Sequence, residues 1–230
     1  MSIHLLLAGV VGSTAYGLAG PVSDVDRLGV FTRDTSEFFG IDQPRESIVT
    51  THPDVTYHEA VKACRLLLGC NPTITELLWL EEYETKALVL GDELVALRSA
   101  FLSAKRVRDA YLGYADQQFR KLLSHGRFGS DIPDRRTAKH ARHLMRLVDQ
   151  GHELYTTGRL TIRLADPQRY LDFGEEVARD PESARPFMAA AEERFNQART
   201  CLHDEPAKGA VVSWLRNVRA AYYTLPSPAH

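Results

Sequence analysis

Residues 3–11 form an apolar run broken only by His4 and Gly9, which predicts a buried strand arriving at Gly12. Leu28-Gly29-Val30-Phe31 predicts a second strand, and residues 14–19 between them suffice for one or two helical turns, ended by Pro21. Residues 32–44 read as a loop, residues 46–51 as a short strand, and His52-Pro53-Asp54 as a turn into the β-prone Val55-Thr56-Tyr57. The period then changes. Residues 59–68 are helical, with Val61, Cys64 and Leu68 on one face and Gly69 where a C-cap belongs. Asn71 caps a further helix that runs through Trp79, with Pro72 tolerated in its first turn.

Beyond Gly91 the periodicity predicts helices over residues 92–102, 104–123, 135–155, 167–173, 183–203 and 207–223. Residues 126–133 read as a loop, 160–164 as a short strand or extended edge, and 225–228 as a loose tail. The expectation is an α/β (α+β) core with a mixed sheet over residues 1–90, followed by an all-helical domain over residues 91–230.

The chemistry gathers where the first strand ends. Gly12-Ser13 turns the chain, and a glycine there lets backbone N–H groups approach an anion while the serine hydroxyl adds a donor. Ser23-Asp24-Val25-Asp26 leads into the second strand. Strand alternation would put Asp24 and Asp26 on one face and Val25 in the core. A phosphate cradle beside paired carboxylates is what binding a Mg²⁺–triphosphate requires.

Gly12-Ser13, ten intervening residues and Asp24-x-Asp26 resemble the signature of the DNA polymerase β-like nucleotidyltransferase superfamily. Ala15-Tyr16-Gly17-Leu18, Ser23-Asp24-Val25-Asp26 and the stretch from Asn71-Pro72-Thr73 to Leu77-Leu78-Trp79 narrow the likeness. They look like the predicted nucleotidyltransferase branch of bacteria and phages linked to RNA repair. The resemblance covers residues 5–80. It implies a third carboxylate on a neighbouring strand, for which Asp54 is the natural choice and Glu46 and Glu59 the alternatives. It implies two Mg²⁺ (or Mn²⁺) ions on Asp24, Asp26 and Asp54. It also implies transfer of a nucleoside monophosphate from an NTP, ATP favoured, to a hydroxyl, with RNA as acceptor and pyrophosphate as leaving group. Competing readings are a nucleotide- or RNA-binding module without catalysis, and transfer to a protein or small molecule.

Composition adds three points. The net charge of −2 does not announce nucleic acid, yet residues 101–163 carry thirteen Lys/Arg against six Asp/Glu, a basic lobe suited to a triphosphate or nucleic acid. Within it Lys139, His143 and Arg146 recur at helical spacing with Arg142 adjacent, while Leu144, Leu147 and Val148 fall on the other side. Lys139, Arg142, His143 and Arg146 are therefore candidate phosphate contacts beside Gly12 and Ser13. No apolar run reaches transmembrane length and no signal peptide is evident, so a cytoplasmic protein is expected, with Cys64, Cys70 and Cys201 as reduced thiols.

Overall fold

The computed structural model describes residues 2–21, 23–125 and 135–223. Its first half is a mixed five-stranded sheet in the order β3-β4-β2-β1-β5. The strands are β1 (His4–Val11), β2 (Asp26–Thr32), β3 (Ser47–Thr51), β4 (Asp54–Glu59) and the two-residue β5 (Thr85–Lys86). β1 runs antiparallel to β2 and β5, β3 antiparallel to β4, and β2 parallel to β4. The helices among the described residues are α1 (Gly12–Tyr16), α2 (Ala60–Leu68), α3 (Pro72–Leu77), α4 (Leu90–Ala96), α5 (Ala104–His125), α6 (Arg135–Thr157), α7 (Pro167–Arg179), α8 (Ala184–Gln197) and α9 (Lys208–Ala221).

Local chemistry sets several boundaries. Asn71 Oδ1 accepts the N–H groups of Thr73 and Ile74 and starts α3, and Pro72 fills the first helical position. The Glu59 side chain accepts the Val61 N–H and starts α2. α2 buries Ala60, Ala63, Cys64 and Leu67. That face is rotated from the expected one, because the helix must cover both the sheet and α9. Phe38 and Phe39, read as loop, close a 3₁₀ turn over Thr35–Phe39. Residues 160–164 have no strand partner among the described residues. Leu160 and Ile162 are buried, and the Leu164 N–H ties the segment to the Tyr16 carbonyl at 3.2 Å. β5 is too short to leave a periodic trace in the sequence.

Two apolar clusters form. In one, Leu6, Leu28, Val30, Leu67, Ile74, Leu77 and Leu94 pack together between the sheet and α2–α4. In the other, Tyr111, Leu144, Leu147, Val148, Leu154 and Val177 fill the space among α5, α6 and α7. α5 and α6 lie close because of Gly151, where any Cβ would stand 2.5 Å from the Tyr111 side chain. The last helix does not join this second cluster. Val211, Trp214 and Val218 of α9 return to the first. Trp214 Nε1 donates to the Leu90 carbonyl at 2.9 Å, and Arg219 pairs with Glu59 at 2.7 Å while its guanidinium lies 3.8 Å over the Phe38 ring.

All three cysteines are free, Cys64 and Cys70 buried and Cys201 exposed. Among the described residues no helix is long and apolar enough to cross a membrane. The loop expected at residues 126–133, with Arg127, and the tail at 225–228 lie outside the described residues.

Candidate active site

Sheet register assembles the site. Val11 pairs with Asp26 across β1 and β2, so Gly12, the next residue, sits beside Asp26. Arg27 pairs with Val55 across the parallel β2 and β4, which sets Asp26 level with Asp54 on the neighbouring strand. The turn and two carboxylates thus meet at one end of three adjacent strands. Gly12 has φ +70°, a left-handed backbone, and a Cβ there would lie 2.2 Å from Asp26 Oδ2. Only glycine lets the turn come this close to the carboxylate.

Asp26 is half-buried, and its pKa is raised. Burial is the largest cause, followed by the charge of Asp54, a hydrogen bond with Asp54 and, more weakly, the charge of Asp24. Lys139 opposes them. A carboxyl group facing a second negative charge gives up its proton less readily. A divalent cation would relieve this repulsion, and hard oxygen donors are its preferred ligands. The donor set therefore fits such an ion. Among the described residues, however, no three His, Cys, Asp or Glu side chains already converge on one metal position. Asp24 precedes β2, is exposed and contributes only its charge. Val25, expected in the core, is 40 % exposed. The reason is that the β1–β2 ladder ends at Asp26, so strand alternation does not reach back to residues 24 and 25.

Glu46 and Glu59, the other choices for the third carboxylate, are engaged elsewhere. Glu46 pairs with Arg65 at 2.8 Å, and Glu59 caps α2 and holds Arg219.

The α6 stripe divides. Lys139 is exposed and acts on Asp26. Arg142 is half-buried and lies over Gly174, where a Cβ would stand 2.8 Å from its Cγ. His143 has its pKa lowered to about 3, by burial first and then by Arg146, His140, Lys121 and Lys139. It is neutral at physiological pH and brings no positive charge to a phosphate. Arg146 is buried alongside Leu144, Leu147 and Val148. Its Nη1 lies 3.5 Å from Glu76 Oε2 and donates to Gln150 Oε1 at 2.6 Å, while its guanidinium covers the Tyr16 ring at 4.0 Å. Much of the remaining basic excess is also used internally. Lys105 bridges Asp109, Arg120 pairs with Asp116 at 2.8 Å, and Arg106 donates to the Leu68 carbonyl at 2.7 Å.

Sequence reasoning assigned no role to Glu76. It lies 3 % exposed on α3, accepts a hydrogen bond from the Tyr16 hydroxyl and faces Arg146. Burial raises its pKa, with Arg146, the Tyr16 hydroxyl and the Gly12 backbone N–H pulling the other way. The signal was present: a carboxylate flanked by Ile74, Leu77 and Leu78 on a short apolar helix must find a partner.

No curated protein matches the chain. The family model described as RlaP, RNA repair pathway DNA polymerase beta family, matches residues 1–183, which takes in the Gly12-Ser13 turn, all three aspartates and α6 but stops before α9. With a match over most of its length, the chain belongs to the RNA repair pathway DNA polymerase beta family.

Proposed function

We propose that this protein is a metal-dependent nucleotidyltransferase that moves a nucleoside monophosphate from an NTP to a hydroxyl on RNA, releasing pyrophosphate. The observation that carries the proposal is the contact of Asp26 with both the Gly12 turn and Asp54. That contact sets a phosphate-binding turn against a pair of acidic oxygens. Asp24, Asp26 and Asp54 would hold Mg²⁺ or Mn²⁺. Such ions, when bound, supply charge neutralisation at the phosphates and acidify an attacking hydroxyl.

The remaining work falls to the chain itself. The Ser13 N–H and hydroxyl would grip the departing phosphates, with Gly12 giving them room. Lys139, and Arg142 at longer reach, would add positive charge from α6. Asp54, at the open end of β4, would lie on the acceptor side and orient the incoming hydroxyl. RNA as the acceptor rests on the family assignment, and ATP as the preferred donor is part of the proposal alone.

The test is incubation with labelled NTPs and Mg²⁺ or Mn²⁺, offered separate pools of RNA, protein and small-molecule acceptors. Label should enter RNA in the wild type and not in the D26N variant. Label in protein alone would move the assignment of the acceptor. Equal label with D26N would remove the carboxylate assignment.

A further inference from the structure

α1 is a single turn of five residues, too short to hold its own shape in water. Something outside it must fix where Gly12 and Ser13 point. Its N-terminal end is joined to β1. Its C-terminal end carries Tyr16, and that side chain is buried in the helical cluster, not in the cluster under the sheet. The Tyr16 hydroxyl donates to Glu76, and its ring lies under Arg146. Arg146 is held in turn by Gln150, whose Nε2 donates to the Thr161 carbonyl at 2.8 Å. The Tyr16 carbonyl receives the Leu164 N–H. The hydrogen bonds and the ring contact that hold Tyr16 therefore lead to α3, α6 and the segment after α6.

We infer that Tyr16, Glu76 and Arg146 form a buried positioning clamp through which α6 sets the spacing between the Gly12-Ser13 turn and Asp26. This rests on the nucleotidyltransferase reading. It assigns Arg146 to geometry and not to phosphate contact. The clamp acts at a distance: none of its three side chains need touch substrate, yet each fixes the turn against which the triphosphate would lie. A displacement of about 1 Å at such a site is enough to cost on the order of 100-fold in rate.

Truncating Arg146 alone would leave a buried carboxylate uncompensated and could unfold the protein. Two gentler variants avoid this. Tyr16→Phe removes one hydroxyl and keeps the ring under Arg146. The pair Glu76→Gln with Arg146→Met removes both charges together, a change that buried ion pairs often tolerate. The measurements are kcat and KM for NTP in RNA labelling, and the backbone amide resonances of Gly12 and Ser13 in the metal-free protein. Tyr16→Phe should lower kcat about tenfold and the double variant about 100-fold, with KM within about twofold of wild type. The Ser13 amide should shift in both, and the Gly12 amide in Tyr16→Phe, which keeps the Glu76 carboxylate that the Gly12 N–H meets, while amides of α9 stay in place.

Unmoved Gly12 and Ser13 resonances overturn the clamp. So does a rise in KM at unchanged kcat in the double variant, which would put Arg146 on the phosphate. If the wild type transfers no nucleotide, the proposed activity fails, and the amide shifts alone decide the clamp.

Discussion

Replacing Gly12 by alanine separates the geometry of the site from the stability of the fold. The backbone there has φ +70°. An alanine in that conformation carries roughly 1–2 kcal/mol of strain, offset by about 0.4–1 kcal/mol from a stiffer unfolded chain. The net cost to folding is about 1 kcal/mol. The new methyl would stand 2.2 Å from Asp26 Oδ2, 3.2 Å from its Cγ and 3.4 Å from its Cβ. The nearest atom is the free end of a half-exposed side chain, so the carboxylate can swing aside and the clash adds little to the folding cost. To regain van der Waals distance it must move about 1 Å, which carries it out of register with Asp54 and costs about 100-fold in rate. That is about 2.7 kcal/mol at the transition state. Urea unfolding of the metal-free protein should show the smaller figure, with the melting temperature down by about 2–4 °C. Labelled-NTP transfer should show the larger. Wild-type turnover by G12A would refute the reasoning, as would a stability loss above about 4 kcal/mol, since unfolding alone would then explain the lost activity.

Three further outcomes follow from other parts of the structure. Because the folded-state pKa of Asp26 is raised, this group favours folding below its unfolded pKa, and that contribution is lost as pH rises through the folded pKa. Melting curves between pH 3 and 7 in chelator should lose that slope in D26N, millimolar Mg²⁺ or Mn²⁺ should stabilise only the wild type, and parallel pH curves would contradict the assignment. Lys139→Ala should weaken NTP or RNA binding and flatten its salt dependence with little change in melting temperature, and an unaltered salt slope would take α6 away from the substrate. Trp214→Ala should cost about 3–5 kcal/mol in urea unfolding, because it empties the middle of the cluster under the sheet, and a loss below about 1 kcal/mol would detach α9 from that cluster.

The arrangement of the candidate site was legible where chemistry and strand period coincide. Gly12-Ser13, Asp26 and Asp54 sit at strand ends, and register alone brings them together. Val25 escapes the alternation because β2 loses its β1 partner beyond Asp26. The α6 stripe misled for a related reason. Helical spacing groups Lys139, His143 and Arg146, but it carries no information on depth, and α1 and α3 cover one end of the stripe while leaving the other open. Spacing does not show that Arg146 is buried, because the partner that neutralises it, Glu76, is 70 positions away in the chain. The mixed sheet and the helical second half were both legible. The return of α9 to the first cluster was not, since an amphipathic helix does not announce which of two apolar surfaces it will cover.

That return has a consequence for how the molecule is made. A chain emerging from the ribosome offers β1 to β4 and α2 to α4 early, but the indole that covers Leu90 and the guanidinium that ties Glu59 to Thr32 lie at Trp214 and Arg219. Until residues 208–221 arrive, the cluster beneath the carboxylate-bearing strands has an open apolar face and Glu59 has no cation. The strands that carry Asp26 and Asp54 are therefore sealed by a segment synthesised long after them, through contacts 124 to 187 residues apart. Closing loops of that length comes late and slowly. A nascent chain halted before α9 holds Asp24, Asp26 and Asp54 and lacks the helix that locks their strands in place.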